Sequence, residues 1–382
     1  MKISVLTPDL SHNCLGRAYL LAKILKRHYE VEIIGPIFKN GIWPPLAELS
    51  DLSYKFVKLT GGDEDYRQLK ELFKKVNGDV IYASKPFFTS FGIGLLKKLI
   101  GRRPLMLDID DWQTGFMKEY YKNLSRGRRL KDLAYYVRHP YTLSHWNSFV
   151  YEKLSWLANE VTVSNNFLKE KFGGTIVWHA RDTDAFNPER FDKEFIIKKY
   201  GIRKKKIVMF FGTPLPYKGI EDLIQAINLL PDRDILLILV GIGTNSKYVK
   251  LASEKLGERF KMFGLQPFQK VPEFLAMSDV VVIPQRNNFA TVGQLPAKVF
   301  DAMAMAKPVI ATNVCDIAKV LDGCGYIVEP DNPRQLTETI QYVLTYQEEA
   351  LQMGLKARKK FEENYSYSAV EKTLLPIFKK YE

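Results

Sequence analysis

Short apolar runs alternate with helix-patterned segments along almost the whole chain, and this alternation limits the fold more than any other feature. ISVLT (3–7) is followed by GRAYLLAKILKRH (16–28). VEIIG (31–35), YKFVKL (54–59), DVIYA (79–83) and RPLMLDI (103–109) continue the series, with helical candidates at 64–76 and 86–100. EVTVS (160–164) and TIVW (175–178) complete a first set. The pattern restarts at KKIVMFFG (205–212), GIEDLIQAINLL (219–230), DILLILVG (234–241), RFKMFG (259–264), VPEFLAM (271–277) and DVVVIP (279–284). A helix and strand in QLPAKVFDAMAMAKPVIAT (294–312) follow, then GYIVEP (325–330). Strands alternating with helices in this way predict doubly wound α/β domains with mainly parallel sheets.

A chain of 382 residues exceeds one typical core, so two domains are expected. The polar segment HARDTDAFNPERFD (179–192) interrupts the alternation and reads as the link. The expected organisation is a first domain over 1–185, a second over 186–365, and a terminal helix over 366–382 that could cross back to the first. Ligands of open α/β sheets bind beyond the carboxyl ends of the strands, so a cleft faced by two such edges is the expected site.

Three scattered cysteines form neither a disulfide framework nor a metal-ligand spacing. MKISVLTP lacks the apolar core of a signal peptide, and no apolar run nears the roughly 20 residues that span a bilayer. A cytoplasmic protein is expected. The net charge of +13 calls for an anionic partner. Residues 117–157 interleave Lys and Arg with Tyr, Trp and Phe, as in helices that lie on anionic membranes. The alternative is a solvated helix packing its aromatics on the first domain. An anionic membrane surface, on the inner face of the membrane, is thus a candidate partner; nucleic acid is not expected.

Four stretches could carry chemistry. In FFGTPLPYKGIEDL (210–223), Lys218 and Gly219 stand at a helix start, where free N–H groups and the helix dipole favour phosphate. No P-loop pattern is present. VGIGTNS (240–246) has two glycines but lacks the third glycine and the ribose-binding acid of a dinucleotide fingerprint. The turn after the first strand has only Gly16, so a nicotinamide enzyme is disfavoured. LDIDDWQTGF (107–116) ends a strand with Asp108, Asp110 and Asp111. Residues 108 and 110 would share one face and 111 the other, which favours one functional aspartate over a metal cage; N-capping of the next helix is the bland reading. Lys298 and Asp301 lie within an otherwise apolar helix, either as a surface i,i+3 ion pair or as part of a ligand site at a helix N-terminus. No histidine pattern for zinc and no nucleophile elbow occurs.

Together these segments resemble the retaining GT-B glycosyltransferases of family four, the glycosyl transferases group one, over nearly the whole chain. VTVSNNFLKEKF and HARDTDAFNP are similar to the family's S-x-F-L and G-V-D-x-x-x-F-x-P. FFGTPLPYKGIEDLIQAI is similar to G-R-L-x-x-x-K-G-x-x-x-L-I-x-A, and LLILVGIG to L-V-G-x-G. The 294–312 stretch is similar to the P-x-K-x-F-E-A-M-A-x-G-K-P-V-I-A-T branch. The resemblance implies two Rossmann-like doubly wound domains facing an interdomain cleft. It implies transfer of a sugar, with retention, from a nucleotide-diphosphate-sugar to a glycan, lipid-linked or small-molecule acceptor on the first domain, without a cofactor or metal.

By the same resemblance, Lys218 would pair with the diphosphate and Asp301, in place of glutamate, would meet the ribose. The N–H groups of Gly293, Gln294 and Leu295 would cradle phosphate, with Lys298 nearby. Gly16, Gly212, Thr213, Gly241, Gly243, Gly264 and Leu265 would complete the donor site, and Asp111 and Lys218 are the catalytic candidates. The chain departs from the pattern elsewhere too. Thr213 stands for an arginine, Gly293 for the first glutamate of E-x7-E, and Asp110 or Asp111 lies where a first-domain histidine is usual. A non-catalytic relative binding glycan or lipid, or a sugar-nucleotide epimerase, would share the scaffold.

Overall fold

The computed structural model describes residues 1–382 apart from 40, 63 and 204. These residues form two compact units. The first comprises Met1–His179, Val292–Leu295 and Val370–Glu382; the second comprises Ala180–Thr291 and Pro296–Ala369.

The first unit is built on seven parallel strands in the order β3-β2-β1-β4-β5-β6-β7. They are β1 (Lys2–Leu6), β2 (Glu30–Ile37), β3 (Ser53–Lys58), β4 (Val80–Ser84), β5 (Leu105–Ile109), β6 (Glu160–Val163) and β7 (Thr175–Ile176). Val5 lies opposite Ile33 on one side and Tyr82 on the other, so β1 is central and the strand order reverses between β1 and β4. Leu6, Ile34, Ile81, Leu107 and Val163 join a core closed by helix residues such as Leu69 and Leu72. The 86–100 segment opens as a π-helical turn (Phe88–Gly92) before becoming a regular helix (Ile93–Gly101). At the chain's end Phe378 is fully buried, its ring 5.3 Å edge-on from Tyr82.

Between β5 and β6 the chain makes three helices, Gln113–Tyr121, Arg126–Arg138 and His145–Lys153. Ser125 and Ser144 cap the last two by accepting from the amides of Arg128 and Asn147, which satisfies orphan N–H groups and sets where each helix begins.

The second unit has six parallel strands in the order β10-β9-β8-β11-β12-β13. They are β8 (Lys206–Phe211), β9 (Ile235–Val240), β10 (Phe260–Phe263), β11 (Val280–Ile283), β12 (Val309–Thr312) and β13 (Tyr326–Val328). The order reverses between β8 and β11. The helix Ile220–Leu229 buries Ile220, Leu223, Ile224 and Ile227 against this sheet, the i, i+3, i+4, i+7 stripe of an amphipathic helix. Among the described residues no helix is long and apolar enough to cross a membrane.

Candidate functional site

The carboxyl edge of the second sheet, from its switch point beside β8 out to β10, gathers most of the predicted donor residues. Gly212 follows β8 and its N–H donates to the Val240 carbonyl (2.9 Å); Gly241 follows β9 and donates to Phe263 (2.9 Å) and Gly264 (3.2 Å). Gly212, Gly241 and Gly264 are thus tied side by side at the carboxyl edge. The Lys298 stem runs over this edge: a Cβ on Gly212 would lie 3.5 Å from its Cε, and its ammonium is 5.1 Å from the Phe211 ring centre. Thr213 and Leu265 are exposed, and nothing crowds Gly243.

Lys218 closes the loop after β8 in a 3-10 turn (Pro216–Lys218). The next residue must be glycine. Gly219 has φ +65°, and a Cβ there would sit 1.7 Å from the Pro284 carbonyl oxygen. The Lys218 ammonium donates to Gln285 Oε1 at 3.4 Å. Gln285 is fully buried just beyond β11, and its Nε2 has no hydrogen-bond partner among the described residues. A buried amide donor without an acceptor costs of order 1–3 kcal/mol, and an incoming oxygen would relieve it.

Asp301 is placed differently from a surface pair. The helix runs Ala297–Ala304, with Pro296 as its N-cap. Asp301 is 1% exposed, against 34% for Lys298; its Oδ2 lies 3.4 Å from the Lys298 ammonium. Its Oδ1 accepts from Arg181 Nε. Arg181 also packs 5.4 Å from the Phe268 ring centre and 5.8 Å from that of Phe186.

In the first unit the three carboxylates divide their work. Asp108 is fully buried and takes a two-pronged bond from Arg17, Nε to Oδ2 and Nη2 to Oδ1, both 2.9 Å. Arg17 also donates to the carbonyls of Val177 (2.7 Å) and Trp178 (3.1 Å), so this pair ties the first helix to the sheet edge. Asp110 and Asp111 share the ammonium of Lys85, which lies 2.7 Å from Asp111 Oδ2. Lys85 is buried just after β4 with φ +67°, a conformation that strains a side-chain-bearing residue. Burial alone would lower its ammonium, but the two aspartates outweigh that and hold it above the ordinary lysine range. Burial, with Asp111 and Asp108 adding to it, pushes the Asp110 carboxyl up to about 6 against the pull of Lys85 and Arg17. None of the three caps the following helix: Trp112 is its N-cap without a bond from its own side chain, and Glu152 Oε1 accepts from the Thr114 amide (3.0 Å).

Gly293, Gln294 and Leu295 also lie in the first unit. Gln294 bridges Asp111 as an isolated antiparallel pair, and its amide donates to Asp111 Oδ1 at 3.1 Å. The Gly293 carbonyl accepts from the Trp112 amide (3.2 Å). A Cβ on residue 293 would stand 2.5 Å from Trp112 Cβ, so glycine here is a packing requirement. Gly16 lies in the helix Leu15–Leu25, where a Cβ would meet Trp43 at 3.6 Å.

Sequence reasoning passed over Arg17, Lys85, Arg181 and Gln285. Only Arg181 left a signal. It stands where the quoted family pattern has an apolar residue, and a charge at such a position needs a buried partner.

The family model for "Glycosyl transferases group 1" matches residues 192–360. Spore coat protein SA of Bacillus subtilis is 27% identical over 278 residues, 62% of this chain and 71% of that protein. The probable glycosyltransferase WbjE of Pseudomonas aeruginosa is 28% identical over 50% of this chain and 49% of its own. Alpha-D-kanosaminyltransferase of Streptomyces kanamyceticus is 24% identical over 52% and 50%. The chain therefore spans only about half the length of these last two relatives. Among solved structures, Anabaena HepE in complex with UDP-glucose covers both chains fully at TM-score 0.75 and 17% identity. The sucrose-phosphate synthase of Thermosynechococcus elongatus covers 100% and 98% at TM-score 0.73 and 14% identity. The fold is that of the GT-B glycosyltransferases, two Rossmann-like domains with parallel sheets.

Proposed function

We propose that the protein is a glycosyltransferase that moves a sugar from a nucleotide-diphosphate-sugar to a glycan, lipid-linked or small-molecule acceptor, with retention of configuration and without a metal. The observation that carries this reading is the Lys298 stem lying over Gly212 at the switch point of the second sheet, within the residues matched by the family model. A glycine edge lets a ligand approach the backbone, and a partly exposed ammonium above it suits a diphosphate. A relative in this fold is described in complex with UDP-glucose, and several relatives carry glycosyltransferase names.

In this reading Lys218 and Lys298 meet the charge that develops on the departing diphosphate, the term expected to dominate. Gln285 Nε2 donates to an oxygen of the donor beside Lys218. Gly241, Gly243, Gly264 and Leu265 line the base, and Thr213 the phosphate side. Asp301 acts through Lys298, holding its ammonium over Gly212; a direct ribose contact would require the carboxylate to leave Arg181. Asp111 serves the acceptor side, its carboxylate oriented by Lys85 and Gln294. Attack on the same face as the leaving group needs no protein nucleophile. The cation-rich helices of residues 117–157 support work at an anionic membrane surface.

Incubation with UDP-, GDP- and ADP-sugars, followed by thermal shift and by NMR of any product's anomeric signal, tests the reading. A donor that raises the melting temperature in the native protein and not in Lys298→Met supports it. An inverted product anomer refutes retention. Epimer formation, or no response to any nucleotide-sugar, refutes transfer.

A further inference from the structure

We infer that the helix Arg126–Arg138 is a docking face for an anionic lipid bilayer. It is a thirteen-residue helix with no buried residue. Its few inward contacts are made by one side: Arg129 donates to the Tyr121 carbonyl and stacks 6.0 Å from that ring's centre. The flank beside it is the unusual one. Leu130, Ala134 and Val137 follow i, i+4, i+7 spacing and so share one face, and Leu130 and Val137 are 65% and 72% exposed. A solvated helix turns its polar face outward; this one presents an apolar ridge.

Cations frame the ridge. Arg126, Arg128, Lys131 and Arg138 are exposed, and with Arg129 they outnumber the one acid, Asp132, by five to one. The charge selects the occupant. A second copy would bring an identical cationic helix against this one, and like charges oppose that pairing. A zwitterionic bilayer would accept the ridge but not reward the arginines. An anionic bilayer interface takes both, seating the leucine and valine among acyl chains and the guanidinium groups among phosphates. A second exposed cluster in the same unit has the same character: Leu99, Ile100 and Trp156 are 76%, 73% and 75% exposed. The Lys98 ammonium, donating to the Leu157 carbonyl at 2.8 Å, holds the two segments together.

This deepens the proposed function by naming the surface that would bring the enzyme to a lipid-linked acceptor. It rests on that reading only for the acceptor, because docking is measured without sugar transfer. The full chain is sedimented with phosphatidylcholine vesicles, with and without phosphatidylglycerol, at low and high salt. Binding is expected only with phosphatidylglycerol and weaker at high salt. Replacing Arg126, Arg128, Lys131 and Arg138 together by Gln should cut partitioning by ~100-fold or more, at about five-fold per cation. Leu130→Ser with Val137→Ser should cut it by about 10-fold. Melting temperature and the thermal-shift response to nucleotide-sugars should be unchanged in both variants. Vesicle binding that is absent, or equal in the four-fold variant, overturns the inference. So does binding lost only in Leu99→Ser, Ile100→Ser and Trp156→Ser together, or a helix that binds nucleic acid in preference to vesicles. None of these outcomes bears on donor binding, which the nucleotide-sugar shift reports separately.

Discussion

Replacing Asp301 by Asn separates the two roles open to this carboxylate. Asparagine keeps the shape and removes the charge. Asp301 is 1% exposed and Arg181 is 7% exposed, so the substitution leaves a buried guanidinium without its counter-charge. Removing one partner of a buried pair costs about 3–5 kcal/mol. Arg181 keeps its bond to the Ala180 carbonyl and its two aromatic neighbours, which favours the lower figure. At about 2–4 °C per kcal/mol for a unit of this size, the melting temperature should fall by about 6–20 °C. Lys298→Met is the contrast. The methionine preserves the stem over Gly212; Lys298 is one-third exposed and Arg181 still pairs with the buried Asp301, so losing the ammonium 3.4 Å away should cost about 1 kcal/mol or less. Under the proposed function it also removes a charge-assisted contact to the donor diphosphate, worth about 1.5–3 kcal/mol, or about 10- to 100-fold in affinity. Differential scanning of the unliganded proteins, with calorimetric titration of whichever nucleotide-sugar binds, reads both quantities. If Asp301→Asn melts within about 2 °C of the native protein while donor affinity falls as far as in Lys298→Met, the argument from burial is wrong and the carboxylate meets the ribose itself.

Three further outcomes are expected. Asp110→Asn should alter how stability depends on pH. A carboxyl raised to about 6 in the folded state binds more protons there than when unfolded, so its stabilising contribution is present below about pH 4 and is lost as pH rises through about 6. The native protein should therefore lose urea stability relative to Asp110→Asn across that window, and a gap that does not change with pH would contradict the shift. Ala306 has φ +52°, where the quoted family pattern has glycine. Ala306→Gly should gain about 1 kcal/mol by relieving left-handed strain, read as a rise of a few degrees in melting temperature. Gly293→Glu, which installs the glutamate the family carries, should lower melting of the first unit by several degrees, because its Cβ would meet Trp112 Cβ at 2.5 Å; a stable variant with tighter donor binding would show that Trp112 yields.

The architecture was legible because it is written in local periods. Each apolar run named from the sequence became a strand within about two residues at either end, and the 117–157 stretch falls in three helices between β5 and β6, the first of which begins at Gln113. Parallel strands buried on both faces must be apolar throughout, so their signal survives without knowledge of partners. Charged pairing carries no such signal. Asp108 looked like one of three neighbouring carboxylates, and its role is fixed by Arg17, 91 positions earlier. Nothing near Ser84 marks Lys85 as the cation that Asp110 and Asp111 share. The carboxyl edge of a sheet collects residues from separate loops, and only the sheet order says which loops meet.

Lys298 and Asp301 show where that limit lies. Their i,i+3 spacing predicts a pair, and the pair is present at 3.4 Å. Spacing cannot say which member faces solvent, since that depends on what covers the helix. Here Arg181, 120 positions away, covers Asp301. The two departures from the quoted pattern at these positions, an arginine for an apolar residue and an aspartate for a glutamate, are partners in one buried contact. An exposed pair of this kind would be worth a few tenths of a kcal/mol and would leave Lys298 free to wander. Anchored at one end by a buried carboxylate and supported by Phe211, its ammonium is held above the glycine edge before any ligand arrives, and preorganisation of this kind lets a single cation count in binding.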